Sequence, residues 1–241
     1  MSKRFYLSPS DIGEKRAILR GKEAHHVIHV MRMRAGQTLD LFDGEGHQYE
    51  GRIQTVEKGE VSLSLSPFQD LSQPAVAITV ACALPKQGRI EAIIEKLTEV
   101  GVEAIIPVTT ERTVSKIARG AEEKKRDRWE RIAISAAKQC GAPRLPKISN
   151  PLPLSEVLPR AKEYALAVVF APGHRSVREF LDRKKADRVI VLIGPEGGWS
   201  EGELSEARRS GWELLSLGKQ ILRVETATVA AAVTLHYALD P

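Results

Sequence analysis

The sequence predicts an α/β protein built in two parts, a small β-barrel followed by a larger, mostly parallel open sheet. Three observations predict it. Residues 1–70 alternate short β-like runs with turn residues, whereas from Ala75 onward continuous apolar runs alternate with stretches of helical periodicity. A polar segment from Gln69 to Pro74 lies between the two rhythms. Finally, 241 residues at 42% hydrophobic content supply enough apolar material for one large core or two smaller ones. The expected domains are therefore 1–70 and 74–241.

In the first part FYL, AILR, TLDLF, YEGRIQTV and VSLSLSPF are the candidate strands. Asp43-Gly44-Glu45-Gly46 suits a hairpin turn between two of them, since glycine and aspartate accept the backbone such turns need. KEAHHVIHVMR reads as a short helix. Many short strands with one brief helix suit a small barrel of the kind that holds RNA.

The second part opens with VAITVACAL (76–84), a β-branched apolar run suited to a strand covered on both faces. Ile90, Ile93, Ile94 and Leu97 then recur at helical spacing, up to Gly101 where a C-cap glycine belongs. AIIPV (104–108), YALAVVF (164–170), RVIVLIG (188–194) and WELLSLG (212–218) are further strands, with helices expected around 123–140, 176–184 and 200–210. Ligands of such sheets gather beyond the carboxyl ends of the strands, the position of both LIGPEGG and LSLGKQILR. The last helix, ETATVAAAVTLHYAL (225–239), is apolar nearly all round, so it is covered on more than one side, by its own core or also by a second subunit.

Composition narrows the function classes. No run of eighteen apolar residues occurs and MSKRFYLSPSD has no signal-peptide core, so a cytoplasmic protein without a membrane span is expected. Cys82 and Cys140 are far apart and lack CxxC spacing, which predicts buried thiols rather than a disulfide or zinc site. His25, His26 and His29 cluster without an HExxH glutamate or a nearby third ligand, so no metal is expected and a polar or RNA-facing surface is. A GxSxG nucleophile elbow is absent. The net charge of +5 is localised: 112–147 holds eleven basic residues against four acidic ones, while 1–70 holds ten of each. That suits a polyanionic partner.

Gly194-Pro195-Glu196-Gly197-Gly198 forms a side-chain-poor loop at a strand end. It matches neither GxxxxGK[ST] nor GxGxxG, and Glu196 repels phosphate. A neutral or cationic ligand fits instead, because glycines let backbone N–H and C=O groups approach a flat ring. The alternative is an ordinary tight connection ending at an N-cap, Ser200, with Glu203 completing a capping box. In the helix at 123–140, Trp129, Ile132, Ala133, Ala136 and Cys140 share one face, and Lys124, Arg128, Arg131 and Lys138 share the other. Such a basic stripe, with Arg144 in the loop beyond it, suits a phosphate backbone.

LIGPEGGWS followed by LGKQILRVETA resembles the signature of the SPOUT-class RNA methyltransferases, and within them the ribosomal RNA small-subunit methyltransferase E family. RFYL, the HH and MR of HHVIHVMR with Gly36 after them, FDGEG, EKLTEVGV, PVTTERT and RWERIAISAAKQCG extend the resemblance, in order, over nearly the whole chain. It implies a PUA-like β-barrel followed by a SPOUT α/β domain with a C-terminal trefoil knot. It further implies S-adenosylmethionine as methyl donor, a homodimer packed through the knotted region, and methylation at N3 of a uridine in 16S rRNA near the decoding centre. Two rival readings are a related methyltransferase acting on another RNA and a ribosome-assembly factor that binds RNA without catalysis.

By the same resemblance, Leu192, Gly194, Gly197, Gly198, Leu217, Gly218, Ile221, Leu222 and Arg223 are the expected cofactor positions. Arg223 is the candidate donor to negative charge developing on the uracil oxygens, and Glu225 or Glu196 the candidate proton acceptor. Glu196 either balances a sulfonium charge or holds the loop, while Thr226 is expected to cap the final helix. AAKQCGAPRLP departs from the family, which often has an acidic residue at the position of Lys138 and an arginine at that of Ala142; Arg144 is the expected substitute toward RNA.

Overall fold

The computed structural model describes residues 4–66, 69–70, 74–115, 120–181 and 185–239. They form two compact units, one of Met1–Gln73 with Ile134–Leu145, the other of Pro74–Ala133 with Pro146–Pro241. Beside the boundary expected at 70–74, the chain thus returns once more to the first unit, through 134–145.

The first unit contains β1 (Arg4–Tyr6), β2 (Arg16–Leu19), α1 (Gly21–His25), β3 (Thr38–Phe42), β4 (His47–Glu57), β5 (Glu60–Leu65) and β6 (Gln69–Asp70). The expected helix in KEAHHVIHVMR is α1 continued by a wider turn over His26–Val30. The strand order is β1-β3-β4-β5-β2 with β6 beside β4, and every pairing is antiparallel except β1 with β3. Among the described residues no ladder joins β2 to β1, so the sheet is a half-barrel. Two-residue alternation drives it: Leu39 and Leu41 of β3 and Val61 and Leu63 of β5 point inward onto Phe5, Leu19 and Val27. The hairpin at 43–46 is organised by Asp43, whose carboxylate is 3% exposed. Its Oδ1 accepts from the amides of Glu45 (2.8 Å) and His47 (3.2 Å), and its Oδ2 meets His47 Nδ1 (2.5 Å) and the Tyr49 hydroxyl (3.3 Å). Burial, then the adjacent Asp43 charge, pushes the Tyr49 phenol up to about 12.

The second unit contains β7 (Ala77–Ala83), α2 (Ile90–Val100), β8 (Ala104–Thr109), α3 (Glu122–Cys140, whose last turns belong to the first unit), β9 (Lys147–Ile148), β10 (Leu152–Pro153), α4 (Leu154–Val157), β11 (Leu166–Ser176), α5 (Val177–Leu181), β12 (Arg188–Ile193), α6 (Glu201–Arg209), β13 (Glu213–Ser216) and α7 (Val224–Leu239). Its sheet runs β10-β8-β7-β12-β11-β13, with β9 also on β8, and every pairing is parallel. From Ile78 to Ala83 every residue of β7 is buried, as its unbroken apolar run requires. α2 sinks Ile90, Ile93, Ile94 and Leu97 and stops at Gly101, whose φ of 83° only glycine adopts readily. On one face of the sheet α4, the turn after it and α6 cover Val108, Val169, Ile190 and Leu192. α7 packs against α2, β7 and β12, although β13, which precedes it, lies beyond β11 at the sheet edge.

Several expectations change here. Cys82 is buried, but Cys140, at the last turn of α3, is exposed, so its thiol is not part of the apolar face of Trp129, Ala133 and Ala136. α7 begins at Val224, so Thr226 lies inside its first turn and caps nothing. β11 runs on through residues 171–176, re-pairing with β13 after a register break between Phe170 and Arg175. The ends of two expected elements, 67–68 and 182–184, and part of the expected linker, 71–73, lie outside the described residues.

Candidate functional site

The carboxyl ends of β11, β12 and β13 are neighbours, and a cleft opens over them of about 670 Å³, counting the part open to solvent. Its walls are Phe170, Ala171 and Pro172 at the register break of β11, Ile193 to Glu196 with Gly198 and Trp199 at the end of β12, and Ser216 to Gly218 with Gln220, Ile221 and Leu222 at the end of β13. Val224 and Ala227 of α7 complete it. Glu196 is the sole ionisable residue of this lining; the rest is apolar or carries uncharged polar groups and backbone.

The glycine loop is held from several sides. A Cβ on Gly194 would lie 2.8 Å from Cε2 of Trp199, whose indole N–H donates to the carbonyl of Phe170 at 3.0 Å. The missing side chain is thus what lets the indole lie flat across the strand end. Gly198 turns the chain with φ 70°, its amide bonded to the carbonyl of Pro195 at 2.9 Å. Oε1 of Glu196 accepts from the amide of Lys86 at 3.0 Å, and Arg112 donates to the carbonyl of Gly197 at 3.0 Å. At the loop's end Ser200 and Glu203 form the expected capping box, and Glu203 also accepts from the amide of Glu111 at 2.9 Å.

Across the cleft, Ser216 Oγ donates to the carbonyl of Gly218 (2.8 Å) and accepts from its amide (3.2 Å), folding 216–218 into a tight turn. Ile221 is 87% exposed and Leu222 37%, so two apolar side chains at the rim are open to solvent, the first almost wholly. Beside it, Arg89 Nη1 lies 3.3 Å from Glu225 Oε1, while the buried Oε2 of Glu225 has no hydrogen-bond partner among the described residues. Arg223 is exposed.

Residues 72–236 match the model of the RNA methyltransferase domain, and residues 19–66 that of the RNA methyltransferase PUA domain. The chain is 31% identical to the ribosomal RNA small subunit methyltransferase E of Synechocystis, over all of this chain and 79% of that protein. It is 30% identical to the Bacillus subtilis protein of the same name, over 90% of this chain and 88% of the relative. The chain belongs to the ribosomal RNA small subunit methyltransferase E family. Two solved structures agree with that placement. A Legionella pneumophila methyltransferase in complex with SAM superposes with a TM-score of 0.87 at 30% identity, covering 99% of this chain and 98% of the other. The Neisseria gonorrhoeae member of the methyltransferase E family, bound to S-adenosyl methionine, gives a TM-score of 0.85 at 28% identity, covering 99% and 98%.

In this methyltransferase E family member, six of the residues expected to hold a cofactor, Gly194, Gly198, Leu217, Gly218, Ile221 and Leu222, line the cleft together with Glu196. Leu192 does not; it is 1% exposed, in the core beneath α6 and Trp212, because successive strand residues face opposite sides and Ile193 takes the cleft side. Gly197 faces away from the cleft, with Arg112 Cβ 3.3 Å from where its own Cβ would be. Arg223 and Glu225 adjoin the lining without forming it. The sequence missed Phe170, Pro172, Trp199 and Ser216. For the first two the signal was present, since the end of a parallel strand beside β12 belongs to the same crevice.

The expected basic stripe is largely engaged within the protein. Arg128 Nε pairs with Glu91 Oε1 at 2.8 Å, and Arg131 Nε donates to the carbonyl of Asp127 at 3.1 Å, one turn back. Lys138 lies 2.8 Å and 2.9 Å from the carboxylate oxygens of Glu23 and 5.2 Å above the Phe5 ring. Arg144 donates to the carbonyl of Glu45. Lys124 is exposed. Thus the departure at Lys138 is balanced by Glu23 of α1. The rings of His25 and His29 lie 4.6 Å apart, and His26 sits edge-on to Phe5. Asp43, Glu45 and His47 also gather ligand atoms within 4.8 Å, but both Asp43 oxygens are already committed to the hairpin.

Proposed function

We propose that the protein transfers a methyl group from S-adenosylmethionine to N3 of a uridine in 16S rRNA, near the decoding centre of the small ribosomal subunit, in the cytoplasm and as a homodimer. The observation that carries this reading is the cleft itself: a side-chain-poor, largely apolar pocket at the carboxyl ends of three parallel strands, in a family whose solved relatives hold SAM. When bound, the cofactor supplies an electrophilic methyl group on a sulfonium. Gly194, Gly198 and Gly218 let backbone groups reach a flat adenine, and Leu217, Ile221 and Leu222 enclose it. Leu192 and Gly197 support those walls from behind.

Uracil N3–H is a weak acid, so the protein must take up its proton and steady the negative charge spreading to the flanking oxygens. Arg223, exposed next to the cleft, is the proposed donor to those oxygens. Glu225, oriented through Arg89, is the proposed proton acceptor. Glu196 gives one oxygen to the Lys86 amide, so it holds the loop and leaves its second oxygen to face a positive charge.

The finer architecture belongs to the same proposal. That α7 lies on β7 and β12 after a strand at the far edge supports a C-terminal segment threaded as a trefoil knot in a SPOUT domain. Val233 (48% exposed) and Tyr237 (89% exposed) are spaced i, i+4 on α7, an apolar stripe that supports a dimer packed there. The half-barrel, of PUA type by its family model, is proposed to dock the rRNA, with Lys138 and Arg144 as further contacts where their internal bonds permit, whereas Lys124, Arg128 and Arg131 of α3 are proposed to carry none of its phosphates. No helix among the described residues is long and apolar enough to cross a membrane.

The test is incubation with labelled S-adenosylmethionine and small subunits from cells lacking the modification, followed by digestion and mass spectrometry. N3-methyluridine in 16S rRNA is expected. Cofactor binding without label would move the activity to another RNA; loss of both would leave a non-catalytic RNA-binding factor.

A further inference from the structure

We infer that the substrate strand rests its phosphates on cations around the cleft mouth, Lys86, Arg112 and Lys219, with Arg223 beside them for the base, rather than on the outer face of α3. This rests on the methyltransferase reading and adds the surface that receives the RNA. Lys86, just after β7, has its amide on Glu196, and Arg112, just after β8, has its guanidinium on the carbonyl of Gly197, so both stand against the loop forming one wall. Lys219 and Arg223 flank Gln220, Ile221 and Leu222 of the opposite wall. All four residues are exposed, and among the described residues none of their side chains pairs with a carboxylate.

Three acids of the same region are bonded within the protein. Glu196 faces the Lys86 amide, Glu203 the amides of Ser200 and Glu111, and Glu225 faces Arg89. Glu111, beside Arg112, and Glu196 are exposed acids of this rim. Solvated loops ordinarily mix their signs, so carboxylates bonded to amides beside cations that pair with no carboxylate make a surface matched to a polyanion. The outer face of α3 differs: Arg128 is held by Glu91, and Asp127 and Glu130 are interspersed among its cations. A phosphate there competes with existing ion pairs; at the rim it meets none. A base turned out of its stack into the cleft also leaves its flanking phosphates at the mouth, where these side chains are.

The experiment measures binding of an unmodified 16S rRNA transcript against salt concentration for the wild type, for Lys86→Glu with Lys219→Glu, and for Lys124→Glu with Arg131→Glu. Calorimetric S-adenosylmethionine binding checks the fold of each. Arg112 and Arg223 are left intact because the first also braces Gly197 and the second faces the reacting base. Each phosphate contact contributes about 0.7–0.9 to the slope of log K against log salt, so the rim variant is expected to lose about 1.4–1.8 of slope with unchanged cofactor affinity. The α3 variant is expected to keep the wild-type slope. A rim variant with the wild-type slope, or an α3 variant with the larger loss, overturns the inference. Neither result depends on methyl transfer. A wild type that binds through the rim yet methylates no small subunit would sink the catalytic reading and leave this surface standing.

Discussion

Replacing Gly194 with alanine adds one methyl group at a point where the structure leaves no room. Its Cβ would lie 2.8 Å from Cε2 and 2.9 Å from Nε1 of Trp199, well inside van der Waals contact. Gly194 does not have a positive φ, so the backbone accepts alanine and the effect is purely steric. The indole cannot withdraw without lengthening its 3.0 Å bond to the carbonyl of Phe170. Overpacking of this kind costs roughly 1–3 kcal/mol, and the weakened hydrogen bond adds about 1 kcal/mol, so a loss of about 2–4 kcal/mol is expected. Because Phe170 and Trp199 both line the cleft, S-adenosylmethionine affinity should fall with stability. Urea denaturation and calorimetry would measure the two. The cycle with Trp199→Leu isolates the cause, since without the indole the alanine should cost under about 1 kcal/mol. Equal costs in both backgrounds, or a loss below about 0.5 kcal/mol with unchanged affinity, would refute the steric argument. Gly198→Ala is a control of another kind: its Cβ meets nothing within 4 Å, so only the strain of φ 70° remains, about 1–2 kcal/mol, with no dependence on Trp199.

Thiol reactivity should divide the two cysteines: a disulfide reagent at neutral pH should modify Cys140 rapidly, and Cys82, which burial pushes up to about 12, only on unfolding. Lys138→Ala leaves Glu23 partly buried without its cation and should cost about 1–3 kcal/mol by urea denaturation, with part of the loss recovered when Glu23→Gln is added. Tyr49 should ionise at higher pH than an ordinary tyrosine when absorbance at 295 nm is followed, and Asp43→Asn should move it toward ordinary tyrosine values. Its folded pKa lies above the unfolded one, so its contribution to stability is complete below about pH 10 and disappears as pH rises through about 12. If the exposed stripe on α7 is the dimer contact, Val233→Glu with Tyr237→Glu should halve the mass seen by light scattering.

Local rules carried the sequence reading wherever a residue's partner is near in the chain. The capping box joins Ser200 to Glu203, and Gly101 closes α2 through the carbonyl of Leu97, so both could be read from spacing alone. The buried parallel sheet was legible as unbroken apolar runs, and the strands of the first unit as alternation between turns, although the sheet they form is a half-barrel rather than the expected barrel. The partner of Lys138 was not legible because the residue that meets it, Glu23, is 115 positions away, and a helical projection counts charge without knowing what meets it. Arg144, which reaches the carbonyl of Glu45 across 99 positions, illustrates the same limit.

The cleft exposes a subtler limit, that of parity. A strand buried on both faces gives no sign in its sequence of which alternate residues point at a ligand and which at a helix. Leu192 and Ile193 are equally apolar and equally buried, yet Ile193 lines the cleft and Leu192 packs beneath α6. Glycine is ambiguous in a related way. Gly194, Gly197 and Gly198 stand within five positions, and the structure gives each its own reason: space for an indole, the close approach of Arg112, and a left-handed turn. A motif reads all three as one ligand loop, whereas the coordinates separate the residue whose substitution disturbs the wall through Trp199 from those that brace the loop or turn it. Mutating the three singly therefore distinguishes the packing of the site from its backbone conformation, a distinction the string GPEGG does not contain.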